Sequence, residues 1–199
     1  MKSIVFCTVT ALAVAGGGLG LASGAGADSD EGLRAQLVDT GGKVVGHVKL
    51  SFEEGDTQVK VSVDLPPSMA GFHGFHIHSV GTCTGPAFTS AGGHLGEVAT
   101  DPTHRHRNHD GDLPVLLVNS DGHASARVST DRLSLDEVRD VAPGNGSAVI
   151  IHAAPDNYAN IPTRYSVANP VPVYPGTTTD AATLATGDSG ARIACGVLK

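Results

Sequence analysis

The sequence predicts an all-β domain, a Greek-key β-sandwich or flattened barrel of about eight antiparallel strands with two long functional loops. Three observations predict it. Short segments alternate apolar and polar residues with period two, as where Val59, Val61 and Val63 interleave with Lys60, Ser62 and Asp64. Turn-forming residues punctuate those segments: the 199 residues include 26 glycines and 11 prolines. Two stretches read as long loops: 79–111, which shows no period and is rich in Gly, Pro, Thr and His, and 157–189, which contains Pro162, Pro170, Pro172 and Pro175; loops that long in a compact domain are usually functional.

The chain opens with Met1-Lys2, a run of apolar and small residues from Ile4 to Leu21, and the A-x-A signal Ala25-Gly26-Ala27 before the acidic Asp28-Ser29-Asp30-Glu31. No stop-transfer pattern follows, so residues 1–27 read as a secretory signal peptide and 28–199 as one exported domain. Strands are expected at Leu33–Val38, Val44–Phe52, Thr57–Leu65, Gly71–His78, Leu113–Asn119, Ala124–Ser129, Ser147–His152 and Ala191–Leu198. Turns fall at Asp39-Thr40-Gly41-Gly42, Glu54-Gly55-Asp56 and Asp121-Gly122, and Pro66-Pro67 breaks the run after the third strand. Ser134-Leu135-Asp136-Glu137 reads as a capping box that starts one short helix.

Net charge is −7, and the linear sequence holds no lysine- or arginine-rich stretch. Nucleic acid and anionic membrane surfaces are therefore not expected partners, and no transmembrane segment is expected. Removal of the leader takes Cys7 away and leaves Cys83 and Cys195. An even pair in an exported protein reads as a disulfide.

Chemistry concentrates in six histidines and one aspartate: His76, His78, His94, His106, His109, Asp112 and His152. Residues i and i+2 of a strand share a face, so His76 and His78 aim two imidazoles one way while Ile77 turns the other. Neutral imidazole suits copper and zinc, and the set reads as a two-metal site on a β scaffold. His73 reads as a structural residue bonded to loop backbone, and His47 and His123 as surface residues.

Four motifs in order resemble copper/zinc superoxide dismutases: Gly71-Phe72-His73-Gly74-Phe75-His76-Ile77-His78, Ser90-Ala91-Gly92-Gly93-His94, His109-Asp110-Gly111-Asp112-Leu113, and Gly187-Asp188-Ser189-Gly190-Ala191-Arg192-Ile193-Ala194-Cys195-Gly196-Val197. The resemblance runs from about Leu33 to the C-terminus. It implies dismutation of superoxide to dioxygen and hydrogen peroxide by a redox-cycling copper joined through a histidine to a structural zinc. By the same resemblance His76, His78, His94 and His152 are copper ligands, and His94, His106, His109 and Asp112 zinc ligands. His104 is the alternative to His106. Asp156 is implied as the carboxylate that bonds one histidine of each metal, Arg192 as the guanidinium beside the copper, His94 as proton carrier, and Cys83–Cys195 as the family disulfide. A copper-only dismutase and a non-catalytic copper-binding or buffering module are the alternatives. Both a monomer and a homodimer fit the sequence.

Overall fold

In the first three strands every second residue is apolar, and those residues line the inside of a curled sheet. A computed structural model describes residues 32–97, 106, 109–139, 146–159 and 181–199. The predicted leader, His104 and most of the second long loop lie outside the described residues. Strands β1 (Gly32–Asp39), β2 (Val44–Glu53) and β3 (Asp56–Asp64) form an antiparallel meander. Leu37, Val48, Leu50, Val59 and Val63 are fully buried or nearly so, each contributing ~1.5–3 kcal/mol relative to exposure. The β1–β2 turn closes on Asp39, whose carboxylate accepts the N–H groups of Gly41 and Lys43 at 2.9 Å each. Gly42 there has φ +83°, a conformation that glycine adopts without a steric penalty.

After β3 the chain makes β4 (Gly71–His73), β5 (Phe75–His78), β6 (Leu116–Val118), β7 (His123–Thr130), the helix α1 (Leu135–Arg139), β8 (Ala148–His152), the helix α2 (Ala181–Thr186) and β9 (Arg192–Val197). Seven strands form one antiparallel sheet in the order β5-β8-β9-β1-β2-β3-β7, and β4-β6 is a second, two-stranded sheet. The predicted all-β, flattened-barrel class is observed, with nine strands among the described residues where about eight were expected.

The extra strand comes from a split. The segment expected as one strand, Gly71–His78, turns a corner at Gly74, so that β4 pairs with β6 while β5 pairs with β8. Gly74 donates to Ala154 O at 2.9 Å and accepts from His152 N at 2.8 Å, and a Cβ on it would strike Ser189. Two further expectations shift. The Leu113–Asn119 strand shortens to β6, and the second long loop contains α2. The capping box forms as expected: Ser134 N and Oγ both donate to Glu137 Oε2, at 2.9 and 2.8 Å, and Glu137 N donates back to Ser134 Oγ at 3.3 Å.

β8 is buried on both faces. Val149 and Ile151 join the main core, while Ala148 and Ile150 pack with Phe88, Ala91 and Cys195 in a smaller cluster beneath the 79–92 segment. A strand covered on two sides needs a continuous apolar run, and Ala-Val-Ile-Ile supplies it. No helix among the described residues is long and apolar enough to cross a membrane.

Candidate metal centre

β5 lies at one end of the seven-strand order, and two loop segments complete its outer edge. Ile77 N donates to Gly111 O at 2.9 Å, Leu95 N to Ile77 O at 2.8 Å, and Gly111 N to Leu95 O at 3.0 Å. These bonds set backbone bridges His76↔Asp112 and His78↔His94. Any side chain at Gly111 would drive its Cβ into the Ile77 carbonyl. Phe75 and Ile77 anchor the strand in the core, so His76 and His78 share the opposite face, as their spacing requires.

Two clusters result, joined through His94. In each, one ligand atom from every member lies within 4.8 Å of the others. The first is His76, His78, His94 and His152; the second is His94, His106, His109 and Asp112. A third grouping, His76, His106 and Asp156, ties them together. All of these side chains are buried.

In four of the histidines one nitrogen is anchored and the other is not. His76 Nε2 donates to Asp156 Oδ2 at 2.7 Å, His78 Nδ1 to Gly92 O at 3.0 Å, His152 Nδ1 to Gly190 O at 3.1 Å, and His106 Nε2 to Asp156 Oδ1 at 2.7 Å. The opposite atoms, His76 Nδ1, His78 Nε2, His152 Nε2 and His106 Nδ1, together with His94 Nε2, are buried with no hydrogen-bond partner. Buried polar atoms are rarely left so. Five imidazole nitrogens orphaned at one place, beside a carboxylate, fit cations.

In the second cluster His94 Nδ1 donates to Asp112 Oδ1 at 2.7 Å, His106 Nδ1 lies 3.2 Å from the same oxygen, and His109 Nδ1 lies 3.4 Å from Asp112 Oδ2. Electrostatics differ between the two. Burial and neighbouring imidazoles push His94 down to about 4 and His152 to about 3, and hold His78 well below its ordinary value. Burial would also lower His106, but the Asp112 and Asp156 carboxylates outweigh it and raise the group to about 9. Both carboxylates stay far below the usual acid range despite burial, because the histidines hydrogen-bond to their ionised forms.

Arg192 stands opposite His152 in the β8–β9 register. Its guanidinium donates to Phe88 O at 2.7 Å and Gly92 O at 2.6 Å. Cys83 and Cys195 form a disulfide with Cα atoms 5.7 Å apart and a sequence separation of 112, tying the 79–92 segment to β9. Loop-closure entropy for such a span is about 4–5 kcal/mol. The family model for copper/zinc superoxide dismutase matches residues 44–198. The chain belongs to the copper/zinc superoxide dismutase family.

Relatives in this family are similar across most of the chain. The Mycobacterium tuberculosis Cu-Zn superoxide dismutase is 38% identical over 84% of this chain and 70% of its own length. The Escherichia coli K12 enzyme is 35% identical over 79% of this chain and 80% of its own. Among solved structures, a superoxide dismutase-like protein from Bacillus subtilis superimposes with TM-score 0.60 at 30% identity, covering 83% of this chain and 97% of that one. Brucella abortus Cu/Zn superoxide dismutase gives TM-score 0.59 at 28% identity, covering 85% and 100%.

The structure brings together His76, His78, His94, His106, His109, Asp112, His152 and Asp156, all expected from sequence. His73 is buried and its ring spans the carbonyls of His152 and Met69 at 2.7 Å each. His47 is exposed, and His123 meets Asp64 at the surface at 2.8 Å. Sequence reasoning missed Arg132, whose guanidinium donates to the carbonyls of His109 at 3.0 Å and Asp112 at 2.6 Å. Gly187 opens the fourth motif, but its packing role was not read: a Cβ there would collide with both Asp156 and His106. Neither residue carries a ligand atom to advertise it.

Proposed function

We propose that this chain dismutates superoxide to dioxygen and hydrogen peroxide with copper held by His76, His78, His94 and His152 and zinc by His94, His106, His109 and Asp112. The observation that carries this reading is the split behaviour of the imidazoles: one nitrogen is fixed to protein, while a buried, unpartnered one points to a shared centre. Bound copper supplies one-electron exchange with superoxide, and zinc supplies a redox-silent positive charge.

The remaining work falls to the chain's own groups. Asp156 accepts from His76 and His106 and so fixes both ring orientations and tautomers. The carbonyls of Gly92 and Gly190 do the same for His78 and His152. Arg192 presents an always-charged fork held by two loop carbonyls, which orients a small anion over the four-histidine cluster. The family resemblance makes His94 the proton carrier, with its Nδ1 bonded to Asp112 Oδ1 and its Nε2 buried without a protein partner. Export follows from residues 1–27 as a signal peptide, and the disulfide supports an oxidising compartment for domain 28–199.

Elemental analysis of the purified mature chain, with superoxide turnover on the same sample, tests the reading. About one copper and one zinc per chain with fast turnover are expected. Copper with turnover but no zinc would reduce it to a copper-only dismutase. Copper without turnover would overturn the enzymatic reading and leave copper binding.

A further inference from the structure

His106 meets the rings of His76 and His94 edge-on and that of His109 at a tilt. Tyr158 lies differently. Its ring is nearly parallel to the imidazole, with 10° between the planes and centroids 6.5 Å apart, within the range of an offset stack. It carries no atom in either metal cluster.

Tyr158 is pinned at both ends. Its hydroxyl accepts Val115 N–H at 2.7 Å, immediately before β6. Its own N–H donates to Asp156 Oδ1 at 2.6 Å, the oxygen that also accepts from His106 Nε2. Asp156 thereby takes bonds from Tyr158, His106 and His76, and together they fix the rotation of its carboxylate.

The backbone makes a tyrosine costly at this position. Tyr158 and Ala159 are consecutive non-glycine residues at φ +55° and +51°, in the left-handed region that side chains disfavour. Such a conformation persists where surrounding contacts over-determine it. The turn is held from Asn157, whose Oδ1 accepts Ala159 N–H at 2.8 Å, whose Nδ2 donates to Asp188 Oδ2 at 2.6 Å and whose N–H donates to Gly187 O at 2.9 Å. Glycine would enter this conformation without a steric penalty. The contacts that offset the cost of tyrosine are those of its ring and hydroxyl.

We propose that Tyr158 is a positioning residue of the zinc half of the centre, its pinned ring backing His106 while Asp156 holds that imidazole by Nε2. One hydrogen bond at Nε2 leaves the imidazole free to tip about the bond axis. A flat ring fixed against its face removes that freedom and keeps Nδ1 turned to the second cluster. Burial raises the Tyr158 hydroxyl above its ordinary value despite the Val115 bond, and Asp156 and Asp112 add to the rise, so the group beside His106 is a neutral phenol. The inference rests on the proposed role of His106 as a zinc ligand.

The test follows zinc release from the copper- and zinc-loaded mature chain to a coloured chelator, together with the visible band of the same chain carrying cobalt(II) in place of zinc. Tyr158→Leu removes the flat ring and the hydroxyl; it should release zinc about tenfold faster and shift or weaken the cobalt band. Tyr158→Phe keeps the ring and loses the pin to Val115, so its cobalt band should match the parent's and its release rate should fall between the two. Tyr158→Gly relieves the left-handed backbone and retains the N–H that bonds Asp156, yet it should release zinc at least as fast as Tyr158→Leu. A tyrosine that only filled space would change the melting temperature and leave the cobalt band unmoved. Zinc release at the parent's rate, or a parent-like cobalt band, in both Tyr158→Leu and Tyr158→Gly overturns the proposal and leaves the zinc site standing. A parent chain that takes up no zinc overturns both.

Discussion

The two clusters share His94 but are built from different material. Three members of the first, His76, His78 and His152, sit on paired strands of the main sheet. His106, His109 and Asp112 sit outside any strand, on a segment fastened to the edge of β5. The first is all imidazole, and burial with mutual repulsion keeps His78, His94 and His152 neutral near pH 7. The second contains a carboxylate and is touched by another, so His106 holds a proton up to about pH 9. The difference is that a strand-borne neutral site is preorganised by the core, whereas a turn-borne charged site needs tethers and must shed a proton to take a metal.

The comparison predicts its largest effect at the strand-borne cluster. His152→Ala removes one of four converging nitrogens while leaving the His106, His109 and Asp112 turn intact. Copper content and turnover should fall to background with zinc content near the parent's, as elemental analysis and the superoxide assay would record. Loss of zinc in equal measure would mean that the clusters are not separable.

Proton linkage gives the next effect. Zinc must displace the His106 proton, so zinc affinity of the metal-free chain should rise about tenfold per pH unit from 6.5 to 9 and then flatten. Copper affinity should change less than zinc affinity between pH 6.5 and 9, because His94 and His152 are already neutral there. Stability of the metal-free chain carries the same signs. The His106 contribution is complete below pH 6.5 and is lost as pH rises through about 9. The His94 and His152 contributions are complete above 6.5 and are lost as pH falls toward 4 and 3. Melting curves should therefore be highest near neutrality, and a monotonic rise to pH 9 would refute the His106 assignment.

Asp156, itself in neither four-residue cluster, bonds a histidine of each. Asn in its place keeps one accepting oxygen and turns an N–H₂ toward the other histidine, leaving two donors face to face. Asp156→Asn should cost about 10–100-fold in zinc affinity, with a smaller loss for copper, measured by competition with a coloured chelator. Equal losses would place the two sites on equal footing and erase the distinction.

Much of this centre was legible because its signals are local. The i, i+2 pair at His76 and His78 states its own geometry, and the segments bearing His94, Asp112 and Arg192 carry recognisable neighbours. The alternation that marked β1 to β3 likewise survives folding unchanged. What was not legible depends on partners distant in the chain. Phe72 and Phe75 fall three apart across Gly74, a slip in the period-two pattern that does not by itself state a corner; the corner between β4 and β5 shows when Ser189 is found against Gly74. The alignment of Arg34, Lys49, Lys60 and Arg127 across β1, β2, β3 and β7 is likewise a property of register, with its members dispersed from residue 34 to residue 127. Arg132 drew no reading for the same reason: its partners are backbone carbonyls 20 and 23 positions away.

Arg132 also provides the finest test of the tether idea. It follows β7, and the next residue is anchored to the sheet through Leu133 O, which accepts from the buried Thr57 hydroxyl at 2.6 Å. Its fork reaches across to grip the two ends of the His109–Asp112 turn by their carbonyls, holding the turn without touching a ligand atom. Arg132→Gln is too short to keep both bonds, and Arg132→Lys keeps the charge but not the fork. If the turn-borne cluster depends on tethers, Gln should speed zinc release to a chelator by about tenfold, the low end for an outer partner of a metal ligand, and Lys should fall between. Copper content and the position of the copper absorption band should not move. Unchanged zinc release in Arg132→Gln would mean that the turn keeps its shape through Asp112 and the β5 edge alone, and the contrast between a strand-held and a tethered site would lose its mechanical basis.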